Sequence, residues 1–199
     1  TISHIRQLTD EERITEVAHM LSGTKSIYVD FVDYDEIAHH AGPERPEALP
    51  ESLDAIANAD IVVIGPGSLY TSIIPNFLVS GISDAVRRSR ACKIYVLNIM
   101  TQDGETDGYD ADDHVRAILE HAGPGVIDVC IANNAVVPPR LMEPYAREGV
   151  TQLDLSREAI EQLGIAVRAF PLLEPGRYIR HNSDALARAI LSVWQEFKK

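Results

Sequence analysis

The sequence is poor in cysteine, in basic residues and in long hydrophobic runs. Cys92 and Cys130 are the two cysteines among 199 residues, and neither has a second cysteine or a histidine at metal-site spacing. A disulfide framework is therefore excluded, and Cys130, inside the apolar run VIDVCIA, is expected to be a small core residue. No apolar run approaches the roughly 20 residues of a membrane helix, and residues 1–13 lack the apolar core of a secretory signal. We therefore expect a cytoplasmic protein without a membrane partner.

Basic residues are outnumbered by acidic ones. Lysine and arginine number 18 against 30 aspartates and glutamates, which gives a formal net charge of −12. Such a chain repels the phosphate backbone of nucleic acid, so no nucleic-acid partner is expected. A small anionic ligand stays compatible with this charge, because backbone N–H groups and one or two arginines are enough to hold it.

Apolar strands alternate with amphipathic helices from residue 50 onward. Strands are predicted over 61–65, 93–98 and 126–132, with one helix over 75–89 between the first two. Another helix is predicted to start at Asp110. Strands that are apolar throughout and separated by helices indicate an α/β fold with a mainly parallel sheet.

The amino-terminal quarter has a different pattern. Residues 9–23 predict a helix and residues 27–32 predict a strand, which is followed by a polar segment with several prolines. We therefore divide the chain into a helical appendage over 1–26, a strand and proline-rich linker over 27–49, and an α/β domain over 50–199.

The stretch IVVIGPGSLYTS places two glycines and several hydroxyls at the end of a strand. Ligands of open parallel sheets bind beyond the carboxyl ends of the strands. Gly65, Pro66, Gly67 and Ser68 form a turn whose N–H groups could surround an anion, with Thr71 as a further hydroxyl donor. A tight turn with capping hydroxyls explains the same residues equally well. The spacing matches neither the P-loop nor the G-x-G-x-x-G pattern.

A second polar loop, NIMTQDGETDGY, follows the next strand. It either recognises ligand hydroxyls or a metal bound to ligand phosphates, or it is a solvated loop before the Asp110 helix. Its candidate ligand-binding residues are Asn98, Thr101, Glu105, Thr106 and Asp107.

Arg180 precedes the last predicted helix, which starts near Asn182 or Ser183. A helix start attracts anions and an arginine reinforces this, although an asparagine cap beside a surface arginine is the simpler interpretation. Tyr145 is expected to be a half-buried residue that packs against the core. His114 and His181 are candidate acid–base groups, but no serine or cysteine stands at a spacing that indicates a catalytic triad.

Taken together, GPGSLYTSIIPN, NIMTQDGETDGY, DDHVRAILEH and RHN resemble the gluconeogenesis factor family (YvcK-like proteins) of the CofD, or 2-phospho-L-lactate transferase, superfamily. The resemblance covers about residues 50–192. It implies a Rossmann-like three-layer sandwich and a protein that binds UDP-sugars, notably UDP-N-acetylglucosamine. It also implies a regulator that steers carbon toward cell-wall precursors and supports cell shape, with cell-wall precursor enzymes as partners. Assembly into a homo-oligomer stays open.

The resemblance favours a regulator over a catalyst. The alternative is a phospholactate transferase that uses a nucleotide-activated donor, but the corresponding loop of that enzyme reads Gly-Pro-Ser-Asn and this one reads Gly-Pro-Gly-Ser. No firm cofactor is implied beyond Mg²⁺ accompanying the nucleotide sugar, and the transferase alternative would need Mg²⁺ held near Glu105 or Asp107.

Residue by residue, the resemblance assigns Gly65 to Ser68 to the phosphate side of the ligand. Tyr145 and Arg180 match a tyrosine and an arginine that contribute to UDP-sugar binding. The residues from Asn98 to Asp107 match the family's signature loop, to which the resemblance attaches no particular contact.

The sequence also departs from the family pattern. Members begin with a strand and a GGGTGL phosphate loop, which this sequence lacks. Residues 5–23 resemble instead the carboxyl-terminal tail of RecN-type DNA repair ATPases. We therefore expect a fragment or a chimera with a junction near residues 24–50, and a sheet that is incomplete on its amino-terminal side.

Overall fold

The computed structural model describes residues 46–198. The helix predicted over 9–23, the strand over 27–32 and the first boundary of the domain division lie outside this part. Four strands are described: β1 Ile61–Ile64, β2 Cys92–Val96, β3 Val129–Asn133 and β4 Ala166–Phe170. Seven α-helices are described: α1 Pro50–Asn58, α2 Ile74–Leu78, α3 Ile82–Arg88, α4 Ala111–Ala122, α5 Pro139–Ala146, α6 Arg157–Gln162 and α7 Ser183–Phe197.

The four strands form one parallel sheet in the order β1-β2-β3-β4. Each strand is the neighbour of the next, so every connection crosses back over the sheet before the chain re-enters it. All strands therefore end at the same edge, which we call the carboxyl edge. The predicted fold class, an α/β fold with a parallel sheet, is confirmed.

Both faces of the sheet are covered by helices. On one face Tyr95 and Cys130 pack with Val115, Ile118 and Ile160 from the connecting helices α4 and α6. On the other face, apolar residues of β2 and β3 pack against α7. All five residues of β2 are buried, and apart from Lys93 the strand is apolar without alternation. The predicted core position of Cys130 is also confirmed, because this side chain is fully buried.

The helix predicted over 75–89 is wrong as a single element. The chain first makes a five-residue π-helical turn, Leu69–Ile73, and then forms α2 and α3 as separate helices. Gly81, with φ +92°, lies between them. The spacing of apolar residues cannot reveal the break between α2 and α3, because both short helices point apolar residues at the same core.

The start of α7 agrees with the sequence. The side-chain oxygen of Asn182 accepts a hydrogen bond from the Ala185 amide at 2.8 Å, as an N-cap residue does. Across residues 46–198, no helix combines the length and apolarity that crossing a bilayer requires.

Candidate functional site

Asn98 joins the loops that follow β1 and β2. Its Oδ1 accepts a hydrogen bond from the Gly67 amide at 3.3 Å, and its Nδ2 donates to the Gly67 carbonyl at 2.9 Å. Both loops leave the sheet at the carboxyl edge, so one side-chain amide holds the two backbones in register. The two loops that the sequence singled out therefore meet.

Gly65 is required where β1 ends. It has φ +75°, and a Cβ at this position would lie 3.0 Å from the Val96 carbonyl oxygen of the neighbouring strand. Any larger residue would be strained and would push β1 away from β2. The Gly65–Pro66 peptide bond is cis.

Glu105 binds the turn after Gly67. Its Oε1 accepts hydrogen bonds from the Ser68 hydroxyl and from the Tyr70 amide, the latter at 3.1 Å. The Ser68 hydroxyl also contacts the Thr71 hydroxyl, and it accepts from the Thr71 amide at 3.3 Å. We call the Ser68 and Thr71 hydroxyls and the Tyr70 amide the cradle.

Several amides of this turn are already hydrogen-bonded within the protein. The amide of Gly67 bonds Asn98, that of Tyr70 bonds Glu105, and those of Ser72 and Ile73 both bond the Ser68 carbonyl at 3.0 Å. Asn98, Glu105 and the Ser68 carbonyl therefore occupy several of the donors that an anion site would use. The sequence shows the donors and not their partners, because Glu105 lies 37 residues further along the chain.

Two threonines of the second loop stabilise the loop itself. Thr101 is buried; its hydroxyl accepts from the Thr151 amide at 2.9 Å, and its own amide donates to the Thr151 carbonyl at 2.8 Å. Thr106 is also buried, and its hydroxyl accepts from the Gln102 amide at 2.9 Å. These contacts give both threonines a structural role.

Tyr145 lies in α5, which follows β3, and Arg180 lies in the segment between β4 and α7. The Tyr145 hydroxyl accepts a hydrogen bond from the Ile179 amide at 3.4 Å, so α5 contacts the segment that leads into α7. Arg180 is exposed, and its backbone carbonyl accepts from the Glu174 amide at 2.9 Å. The Arg180 guanidinium therefore lies at the protein surface.

His181 connects this segment to β2. Its imidazole hydrogen-bonds the backbone of Leu97, the residue before Asn98. Desolvation lowers the pKa of His181 to about 4, although the Leu97 bond partly opposes the shift. The ring is therefore neutral at pH 7, and its Nε2 is buried without a hydrogen-bond partner in the described residues.

Aromatic rings pack against the side chain of Tyr70, whose amide belongs to the cradle. The hydroxyls of Tyr70 and Tyr109 are 2.8 Å apart, and the Tyr109 ring meets the His114 ring edge-on. The Tyr109 hydrogen bond raises the pKa of Tyr70 to about 12, while burial lowers the pKa of His114. Tyr70 was not identified from the sequence as a candidate. The sequence feature that could have identified Tyr70 is its position two residues after Ser68.

The predicted Mg²⁺ ligands do not form a cluster. Glu105 Oε1 faces hydrogen-bond donors, and Asp107 Oδ2 accepts from the Gly104 amide at 2.9 Å. Within residues 46–198, the acidic groups close enough to share an ion are Asp110, Asp112 and Asp113 at the start of α4. Neither Glu105 nor Asp107 is in that group, so the described residues do not form a preassembled metal site around either carboxylate.

Comparison with known proteins identifies the family. The family model described as "2-phospho-L-lactate transferase CofD" matches residues 11–173. The chain belongs to this CofD family. Because the match begins at residue 11, inside the segment compared with RecN-type ATPases, that comparison is not borne out.

Relatives named "Gluconeogenesis factor" are similar to this CofD-family chain. The protein from Halalkalibacterium halodurans is 41% identical over 150 residues, which are 75% of this chain and 47% of the relative. The protein from Bacillus subtilis is 39% identical over 155 residues, 77% of this chain and 49% of the relative. The chain thus spans about half the length of the curated relatives it matches.

A solved structure has the same fold. The crystal structure of a UPF0052 family member from Bacillus halodurans superposes with a TM-score of 0.73 at 39% identity, and the match covers 75% of this chain and 49% of that one. The label of gluconeogenesis factor and the CofD superfamily, both expected from the sequence, are supported by these relatives.

Proposed function

We propose that this chain binds a nucleotide sugar, UDP-N-acetylglucosamine in the first place, at the carboxyl edge of its sheet. The observation that supports this is a continuous series of contacts along that edge. Tyr145 contacts Ile179, and His181 contacts Leu97. Asn98, next to Leu97, bonds Gly67, which leads into the cradle. In this proposal the candidate residues of these linked segments line one surface.

The surface has the chemistry that a nucleotide diphosphate needs. Arg180 supplies an exposed guanidinium whose fork of N–H donors fits phosphate oxygens. The hydroxyls of Ser68 and Thr71 are donors at the other end of the surface. Tyr145 supplies a half-buried ring and a hydroxyl. In this proposal the diphosphate lies between the cradle and Arg180.

The biological role that we propose is regulatory. The relatives are named for a factor in gluconeogenesis, and a protein that senses a cell-wall precursor would steer carbon toward that precursor and influence cell shape. Enzymes of precursor synthesis are the partners that such a sensor requires. The cytoplasm is where nucleotide sugars are made, which fits the expected location.

Calorimetry with UDP-N-acetylglucosamine tests the binding. We expect Arg180→Ala to weaken binding about tenfold or more, because a charge-assisted bond to phosphate contributes about 1.5 to 3 kcal/mol. Arg177→Ala is the matched control, since it removes the same exposed charge from the same segment. No heat at millimolar ligand with the folded protein would refute the proposal, and equal losses in both variants would show that Arg180 acts through bulk charge.

The family match supports a second candidate, a transferase. In that reaction an alcohol oxygen of a deazaflavin acceptor forms a bond to the phospholactyl phosphorus, and a nucleoside monophosphate leaves with the electrons of the broken phosphoanhydride bond. The described residues offer Glu105 as a base for the alcohol proton. Release of nucleoside monophosphate that depends on the acceptor would favour this candidate over the regulator.

A further inference from the structure

The cradle holds a carboxylate that belongs to the protein itself. The Ser68 hydroxyl and the Tyr70 amide both donate to Oε1 of Glu105, which comes from the loop after β2. Hydroxyls and backbone amides of this kind bind carboxylate and phosphate oxygens alike. A ligand phosphate that approached the cradle would meet a negative charge already in its place.

The Glu105 carboxylate is incompletely satisfied in this position. Its second oxygen, Oε2, is buried and has no hydrogen-bond partner within residues 46–198. The hydroxyl of Tyr95 and Nε2 of His114, two further buried atoms without partners, belong to side chains that feel the charge of Glu105. Burying an unpaired carboxylate oxygen is costly, so the side chain loses little when it leaves the cradle.

The cradle is also accessible from solvent. Ser68 is half-buried and Thr71 is exposed, whereas Leu69 between them is fully buried and anchors the turn in the core. A phosphate can therefore reach the hydroxyls without unfolding the turn. The loop that carries Glu105 is the part that has to move.

We propose that Glu105 is an internal competitor for the ligand phosphate, so that the cradle alternates between its own carboxylate and a bound diphosphate. This inference rests on the proposed function, because it concerns the same surface. In the free protein Glu105 fills the cradle and ties the loop after β2 to the turn after β1. When the ligand binds, Glu105 is expelled and its part of the loop separates from the turn, while Asn98 still joins the two backbones. Ligand binding is thereby linked to a conformational change that a partner protein could detect.

The decisive variant is Glu105→Gln, which keeps the shape of the side chain and removes its charge. We expect it to bind UDP-N-acetylglucosamine about tenfold more tightly than the wild type, because a like charge no longer competes for the site. Asp103→Asn is the matched control: it removes one charge from an exposed position two residues away in the same loop, and its affinity should stay within about twofold of the wild type, as expected for a screened surface charge. Inorganic pyrophosphate, which shares only the diphosphate, should show the same order of affinities.

The outcomes separate this inference from the proposed function. If the wild type binds the nucleotide sugar and Glu105→Gln binds no more tightly, the competitor role is refuted and the site stands. If neither protein binds, both proposals fail. Binding by Glu105→Gln alone would support both, with the wild type held closed by its own carboxylate.

A measurement on the unaltered protein guards against a folding defect in the variant. The Tyr70 amide bonds Glu105 at 3.1 Å, so its proton resonance reports whether the carboxylate is present. We expect addition of UDP-N-acetylglucosamine to shift this resonance together with that of Glu105. A ligand that binds with calorimetric heat and leaves both resonances unchanged would overturn the competitor role.

Discussion

Asn98 and Gly67 exchange two hydrogen bonds, amide to carbonyl in both directions, at 3.3 and 2.9 Å. Only a side chain with one acceptor and one donor on the same carbon can do this. The relationship fixes the distance between the turn after β1 and the loop after β2, and both contribute to the cradle. The precision of the candidate site therefore depends on one asparagine.

We expect Asn98→Asp to be more harmful than Asn98→Ala. The alanine variant loses both bonds, at about 1 to 3 kcal/mol of unfolding free energy. The aspartate variant keeps the bond from the Gly67 amide but turns a carboxylate oxygen toward the Gly67 carbonyl, where two acceptors repel each other. Urea unfolding measures the order. Equal stability of Asn98→Asp and the wild type would show that the pairing is incidental.

Two glycines with similar backbone angles should respond differently to alanine. Gly65 has φ +75°, and a Cβ added there would lie 3.0 Å from the Val96 carbonyl oxygen. Gly104 has φ +72°, and a Cβ added there would have no heavy atom within 4 Å. Gly104→Ala should cost only the left-handed backbone penalty, about 1 to 2 kcal/mol. Gly65→Ala should cost clearly more, because β1 must also move from β2. Thermal unfolding compares them, and an equal loss in both variants would contradict the close approach.

Replacing one partner of the ion pair at the opposite edge of the sheet should cost more unfolding free energy than replacing the other. Lys93 Nζ lies 3.1 Å from Asp128 Oδ2, and the lysine side chain is 10% exposed against 36% for the aspartate. Asp128→Ala leaves a buried ammonium unpaired and should cost about 3 kcal/mol or more. Lys93→Met removes the buried charge and leaves a partly hydrated carboxylate, so its loss should be smaller. The reverse order in chemical denaturation would show that Lys93 is solvated.

His181 should make the protein less stable in acid. Its pKa is 6.5 when unfolded and about 4 when folded, so the unfolded chain binds the proton first as the pH falls. This contribution to stability is complete above pH 6.5 and is lost as the pH falls toward 4, by about 3 kcal/mol.

The matched variant is His181→Asn, whose side-chain amide can still donate toward the Leu97 carbonyl without titrating. Urea unfolding at several pH values should show the curves of the two proteins converging between pH 6.5 and 4. If the unfolding free energies of the two proteins ran parallel with pH, His181 would be hydrated in the folded protein. Other titrating groups, His114 among them, are common to both proteins and cancel in the comparison.

The layers of the fold were predictable because they depend on local patterns. The residues IYV of β2 are apolar without alternation and are buried on both faces, as predicted, whereas the same prediction for IVVI is wrong because Val63 of this edge strand is 39% exposed. The cap at Asn182 was predictable for the same reason. The division of the helix over 75–89 was not, because Gly81 and the π-helical turn change the backbone without changing the apolar period.

The site was predictable only as a set of donors. Position at the ends of strands identified Ser68 and Asn98, and position before a helix start identified Arg180, but pairing across 31 or 37 residues decided what the first two bind. Glu105 was expected to bind the ligand, or to lie near Mg²⁺ in the transferase alternative, and its carboxylate binds the cradle. The sequence does not show which of the protein's own side chains occupies a site, because tertiary packing decides this.

The central claim is that a nucleotide diphosphate binds along the carboxyl edge between the cradle and Arg180. The most direct measurement is the map of amide resonances that move when UDP-N-acetylglucosamine is added to the folded protein. The account predicts shifts at Ser68, Tyr70 and Arg180, and none at Lys93 on the opposite edge. Shifts confined to other regions, or no shifts at millimolar ligand, would contradict it.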